Sequence, residues 1–371
     1  MINVLHCYKT YYPDTFGGIE QVIYQLAEGS VKENIRSTVF THSPTFDRKD
    51  DILDHHAIHR VKTLCEFAST PFSFSAISEF KKMAQAADII HYHFPYPFMD
   101  FMHFAAGIKK PTVVSYHSDI VKQKTLLKLY TPLMNKFLTS VDRIVAASPN
   151  YVKSSPVLQN FKNKVDVIPY GLDKNFYQAK NEAVLEKWRT RFPTGFFLFI
   201  GTFRYYKGLH ILIEAAQNSR YPIVVVGAGP IENELKAQAQ RLKVDNIHFP
   251  GALEDSDKVA LLHLCTSLVF PSHLRSEAFG ISLLEGAVYS KPLISSEIGT
   301  GTTYININQQ TGLVVPPSDP LALRQAMDKI WHNPEMAKRF GQAAHARFEE
   351  LFTADKMILS YTSLYKSLLS A

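Results

Sequence analysis

Two carboxylates eight positions apart, Glu277 and Glu285, bracket a glycine in the stretch Phe270 to Ser296. That stretch reads as a buried strand, a polar loop, a helix opening on Gly280 and a further strand. Eight residues span a little over two helical turns. With the helix starting near Gly280, Glu285 projects from its second turn and Glu277 lies ahead of its N-terminus, so both can face one cavity lined by free backbone N–H groups. Such an N-terminus attracts anions, and glycine lets a phosphate approach the backbone. Carboxylates repel phosphate but accept hydrogen bonds from sugar hydroxyls, so the combination suits a nucleotide sugar. The plainer reading is a helix with two surface glutamates.

A second group of chemistry-bearing residues follows the apolar run Phe197 to Gly201. Arg204 and Lys207 stand three apart in a loop between a strand and a helix, where a diphosphate needs neutralising. Arginine offers a planar fork for two phosphate oxygens and lysine a compact charge; a solvated basic loop is the simpler alternative. Gly227 and Gly229, after another apolar run, let a nucleoside lie against the backbone. Asp255-Ser256-Asp257 has the outline of a metal-binding pair, but it directly precedes an apolar helical pattern and reads as an N-cap. No obligatory metal is expected.

In the first half, Gly17 and Gly18 end a turn before a helix from about Ile19 and expose backbone donors. A third glycine is missing, so a dinucleotide fingerprint is not supported. His117, followed by Ser118 and Asp119, closes an expected strand at its carboxyl end. His91 and His93 share one face of a strand because strand side chains alternate; with no further ligand in sight they read as core or cleft-lining groups. His55, His56 and His59 read as surface residues of a polar loop.

The elements that must carry these residues are strands alternating with longer amphipathic segments, the pattern of parallel sheets covered by helices. Strands are expected at Ile2–Cys7, Thr38–Thr41, Ile89–His93, Thr112–Tyr116, Arg143–Ala147 and Val165–Ile168. In the second half they are expected at Phe197–Ile200, Ile223–Val226, Ile247–Phe249, Leu268–Phe270, Leu293–Ser295 and Leu313–Val315. Ligands of such sheets bind outside the carboxyl ends of the strands. A chain of 371 residues exceeds one ordinary core. The expected division is a Rossmann-like acceptor-binding domain over 1–172, a Rossmann-like nucleotide-sugar domain over 173–352, and a final helix over 353–371 crossing back.

With 46% hydrophobic and 20% charged residues and a net charge of +6, the composition is that of a globular chain with anionic partners. Three scattered cysteines suit reduced thiols better than a disulfide framework. No run approaches a membrane span, no export signal is seen at the start, and no nucleic-acid-binding motif stands out. Lys122, Lys124, Lys128 and Lys136 mix with leucines and no acids between 120 and 140. That segment is either a solvated helix over the core or a face that rests on an anionic membrane.

Taken together, Glu277 and Glu285 around Ala278-Phe279-Gly280, the run Lys291-Pro292-Leu293-Ile294, and Arg204 to Gly208 resemble the retaining glycosyltransferases of family 4, which have the α/β GT-B fold of two Rossmann-like domains facing each other across a cleft. Arg275 to Glu285 is similar in wording to the bacterial O-antigen mannosyltransferases and their rhamnosyl-transferring relatives. The resemblance implies catalytic roles for His117, Glu277, Arg204 and Lys207. It implies donor binding by Gly17, Gly18, Gly227, Gly229, Phe279, Gly280, Ile281 and Glu285, and the basic amphipathic pattern offers Lys122, Lys124 and Lys128 as the membrane and acceptor side. It further implies mannose transfer from GDP-mannose, without a cofactor, to an undecaprenyl-diphosphate-linked glycan at the cytoplasmic face of the membrane. Competing readings are a GDP-rhamnose or UDP-sugar donor, and a sugar-nucleotide epimerase of the same fold.

Overall fold

A strand inside a parallel sheet is covered on both faces, so it shows a continuous apolar run rather than alternation. Phe197–Ile200 and Ile223–Val226 are such runs, and all their residues are buried. The computed structural model describes residues 1–46, 49–120, 124–177 and 181–370. The chain divides into two compact units, Met1–Gly171 with Ala354–Ala371, and Leu172–Thr353.

The first unit contains β1 (Ile2–Cys7), β2 (Ile35–Ser43), β3 (Asp50–Leu53), β4 (His56–Lys62), β5 (Cys65–Phe67), β6 (Thr70–Phe72), β7 (Ile89–Phe94), β8 (Thr112–Tyr116), β9 (Arg143–Ala146) and β10 (Val165–Val167). Eight of them form one sheet in the order β10-β9-β8-β7-β1-β2-β4-β3, and β5 and β6 form a separate ribbon. Every pair in the large sheet is parallel except β3 with β4. The final helix, Ala354–Leu369, belongs to this unit and packs on the helix Gly18–Gly29. At Gly29 the two helices touch closely, and a Cβ there would meet the Ile358 side chain, whose Cδ1 would lie 2.0 Å away.

In the second unit, β11 (Phe197–Ile200), β12 (Ile223–Val226), β13 (Ile247–Gly251), β14 (Ser267–Phe270), β15 (Leu293–Ser296) and β16 (Gly312–Val315) pair in parallel in the order β13-β12-β11-β14-β15-β16. Both sheets are Rossmann-like. In each, the chain winds outward in two directions from its first strand, so strand order reverses between β1 and β7 and between β11 and β14. Ligands of open parallel sheets bind at such reversals.

The structure corrects the reading of residues 55–59 as a surface loop. β4 lies inside the sheet, between β2 and β3. His56 is buried, with Nε2 3.0 Å from the Tyr11 hydroxyl and Nδ1 2.5 Å from Glu28 Oε1. Arg60 is also buried and donates to the Tyr12 carbonyl at 2.9 Å. His59 is partly covered and lies between Asp50 and Glu79, and only His55 is exposed as expected. Histidine and arginine can sit inside a sheet when their polar atoms are paired, so composition alone hides this strand.

Asp255 and Asp257 are not the cap of their helix either. The N-cap of Asp255–Leu264 is Glu254. Asp257 instead accepts from Trp188 Nε1 at 2.7 Å and from Lys187 at 2.8 Å, fastening the neighbouring helix Glu182–Arg191. That helix is capped by Asn181, which accepts from the Val184 N–H.

Candidate active site

In the second unit, the loops that leave β11 and β14 are sewn together at the strand reversal. The main chain of His273 donates to the Tyr206 carbonyl at 3.0 Å. Gly208 lies so close to the other loop that a Cβ on it would meet the Pro271 carbonyl oxygen at 2.0 Å, and its φ of +72° is in the left-handed region. Glycine alone meets both demands.

This seam brings Lys207 onto Glu277. The two form an ion pair with side chains only 13% and 11% exposed, and Ser272 Oγ adds a hydrogen bond of 3.3 Å to Glu277 Oε2. Lys207 also lies over the Phe270 ring, 4.8 Å from its centre. Burial by itself would lower the lysine's pKa, but Glu277, with Tyr206 and Glu285, raises it above its ordinary value. The ammonium is therefore held charged in a partly dry place. Arg204, at the start of the same turn, is exposed.

Gly280 is the N-cap of the helix Ile281–Val288, with φ +96°. Phe279 beside it is buried, edge-on to Phe352. Glu285 sits in the second turn and accepts from the Tyr177 hydroxyl at 3.1 Å. Burial pushes its carboxyl pKa up. Ser282 donates to the Ile200 carbonyl at 2.9 Å, fixing the helix to the end of β11.

Gly227 and Gly229 have a packing task of their own. A Cβ on Gly227 would lie 2.0 Å from the Gly201 carbonyl oxygen, and one on Gly229 would lie 2.4 Å from that of Phe203. The loops after β11 and β12 touch backbone to backbone through them.

In the first unit, Gly17 is the N-cap of Gly18–Gly29, and both glycines are exposed. The Glu20 carboxylate folds back beside them and accepts from Thr10 and Thr15 at 2.9 and 2.7 Å. His117 stands just beyond β8, buried, with both ring nitrogens engaged. Nε2 is 3.0 Å from His93 Nδ1, and Nδ1 is 2.5 Å from the Tyr170 hydroxyl. The His117 ring can therefore turn toward a ligand only by breaking one of these bonds.

His91 and His93 do share a face, with ring centres 4.4 Å apart. His6 of β1 joins them, and ligand-type nitrogens of the three lie within 4.8 Å of one another. Both nitrogens of His91 and of His93, and Nδ1 of His6, are already paired. His6 Nδ1 faces His93 Nε2 at 3.1 Å, while His91 binds Tyr365 and Ser115 at 2.7 and 2.8 Å. An ion would have to break these bonds to enter. Sequence inspection missed His6 and Tyr170 because they lie 87 and 53 positions from their partners. Only the order of strands brings them together.

Of the lysines expected to meet a membrane, Lys122 lies outside the described residues and Lys124 begins the helix Lys124–Ser140. Lys128 and Leu129 are exposed, whereas Met134, Phe137 and Leu138 face inward. Among the described residues no helix is long and apolar enough to cross a membrane.

A parallel Rossmann-like sheet in each unit, with a cation–carboxylate pair and a helix N-terminus at the strand reversal of the second, has the outline expected of a GT-B glycosyltransferase. The sequence comparisons agree. A family model described as Glycosyltransferase Family 4 matches residues 16–176, and one described as Glycosyl transferases group 1 matches residues 182–347. The chain is 53% identical to the O-antigen chain mannosyltransferase C of Escherichia coli over 370 residues, covering 100% of both. It is 56% identical to the D-rhamnosyltransferase WbpZ of Pseudomonas aeruginosa over 353 residues, 95% of this chain and 93% of the relative. The fold is shared with sucrose-phosphate synthase from Thermosynechococcus elongatus, with a TM-score of 0.82, 19% identity and full coverage of both chains. It is also shared with Anabaena Alr3699/HepE in complex with UDP and glucose, with a TM-score of 0.80, 18% identity and coverage of 99% and 100%. The chain belongs to glycosyltransferase family 4.

Proposed function

We propose that this glycosyltransferase moves mannose from GDP-mannose, with retention at the anomeric carbon, onto a lipid-diphosphate-linked glycan during O-antigen synthesis. The observation that carries the reading is the Lys207–Glu277 pair at the strand reversal of the second unit, in a chain 53% identical over its whole length to an O-antigen mannosyltransferase. As the bond from the sugar to the diphosphate breaks, negative charge grows on the leaving group. Arg204, Lys207 and the backbone donors at Gly280 and Ile281 stabilise it, and preorganised charge of this kind is usually the largest catalytic contribution. Glu277 holds sugar hydroxyls, Glu285 the ribose, and Gly227 and Gly229 flank the nucleoside. Gly17 and Gly18 contribute to the donor sugar's binding, and the His117 carbonyl steadies the positive charge that develops on the sugar.

The 56% identical rhamnosyltransferase supports a second reading, GDP-rhamnose as donor. Rhamnose of that series is mannose without its 6-hydroxyl, so the two donors differ by one polar group. A panel of GDP-mannose, GDP-rhamnose and UDP-sugars, each with the lipid-linked acceptor and with or without EDTA, separates the readings. GDP-mannose is expected to be used fastest. EDTA should leave most activity, because protein cations already face the diphosphate. Preference for a UDP-sugar, or complete loss on chelation that Mg²⁺ restores, would overturn the respective part.

The lipid-linked acceptor also requires the enzyme to work at the cytoplasmic membrane face, and Lys122, Lys124 and Lys128 are proposed to attach it there. Each lysine near an anionic surface contributes up to about 1 kcal/mol, so replacing all three by glutamine should weaken liposome binding roughly a hundredfold. Co-sedimentation unchanged at low and moderate salt would mean that the helix is merely solvated.

A further inference from the structure

The rings of His6, His93 and His117 meet edge to edge across three neighbouring strands, β1, β7 and the end of β8. His6 and His93 are inclined by 25° with 3.1 Å between facing nitrogens, and His93 and His117 by only 10° with 3.0 Å. The ring centres are 5.4 and 5.2 Å apart, too far for face stacking at these nitrogen separations. The three imidazoles therefore form a nearly flat hydrogen-bonded ribbon that ends on the Tyr170 hydroxyl. All three rings are buried. The register explains the placement: His6 pairs with His91 and His93 with Ser115, so the ribbon runs diagonally over one sheet face.

We propose that His6 and His93 are positioning residues that fix the tautomer and orientation of His117, and through it the main chain at the carboxyl end of β8. A neutral imidazole donates from one nitrogen and accepts at the other. Once Tyr170 donates to His117 Nδ1, the proton of His117 is on Nε2, which donates to His93 Nδ1. His93 must then carry its proton on Nε2 and donate to His6 Nδ1. The three tautomers are thus linked in one direction that needs both a donor at Tyr170 and an acceptor at His6 Nδ1, so loss of either end frees the tautomer of His117. Burial holds the rings neutral, with the His6 and His117 pKa values lowered to about 3. His91, stacked on His93, is held by Ser115 and Tyr365 and closes that face of the ribbon.

The activity arm of the test rests on the proposed transferase function, whereas the spectroscopic arm does not. Side-chain ¹⁵N NMR of the wild-type chain at neutral pH is expected to show His6, His93 and His117 each as a single neutral tautomer protonated on Nε2. His6→Leu removes the end acceptor, so His117 should shift toward a mixture of tautomers and kcat should fall roughly tenfold or more with donor KM nearly unchanged. His6→Asn places an amide where Nδ1 was, and should recover the single tautomer and most of kcat. Thermal melts of both variants separate this from unfolding. Mixed tautomers or imidazolium in the wild type would overturn the proposal. So would an unchanged His117 resonance in His6→Leu, whatever happens to the rate. If no donor is turned over, the function is wrong and the NMR still decides the ribbon.

Discussion

Glu277→Ala is expected to lower kcat by roughly two orders of magnitude or more, the scale of losing one positioned electrostatic group, and to destabilise the fold as well. The second effect follows from the Lys207 partner. With side chains 13% and 11% exposed, the pair is largely withdrawn from water, and removing one member of a buried pair leaves an uncompensated charge at a cost of about 3–5 kcal/mol. The two consequences are separable. In the double variant Lys207→Met/Glu277→Leu no charge is orphaned, and apolar replacement of a buried pair is often neutral. Urea denaturation should show most of the lost stability restored, while steady-state kinetics should show activity still lost. A double variant that regained activity would mean that the pair is a structural clasp and that its groups do not meet the donor.

Glu285→Ala should fail in a different way. Glu285 lies within the helix Ile281–Val288, under the Tyr177 hydroxyl. In the proposed role it grips the ribose equally in ground and transition states, so its loss weakens donor binding more than it slows the chemical step. A charged hydrogen bond contributes about 1.5–3 kcal/mol, which is roughly ten- to 150-fold in GDP affinity by calorimetry. The raised pKa adds a pH signature. The ionised carboxylate is the acceptor, so GDP affinity should fall as pH drops toward that raised value, and Glu285→Gln should abolish the dependence. For the free protein the sign reverses. Because the folded pKa lies above the unfolded one, the folded state takes up the proton first, and this group's burial penalty is relieved as pH falls. GDP affinity in Glu285→Ala equal to wild type would remove Glu285 from the donor site.

Much of the second unit was legible because its strands are short and covered on both faces. Phe197–Ile200, Ile223–Val226 and Leu268 to Phe270 appear in the chain as plain apolar runs. Gly280 was read as the opening of its helix, and the structure places it there as the N-cap with φ +96°. What stayed hidden were polar groups that fold inward. β4 carries His56 and Arg60 in its interior, and hydropathy cannot tell a paired buried histidine from a solvated one. The Lys207–Glu277 contact joins residues 70 positions apart, and only the adjacency of β11 and β14 makes it. His117 was found at a strand end, but its ring proved to be held by His93 and Tyr170. That moves attention from its imidazole to its main chain.

The most direct test of the central claim is the product itself. Purified enzyme, GDP-mannose and a lipid-linked oligosaccharide acceptor are incubated together, and the new linkage is read by NMR. The account predicts one or more mannoses joined through an α-anomeric bond, the configuration of the donor. A β-linked product, or consumption of GDP-mannose without transfer to the acceptor, would contradict it.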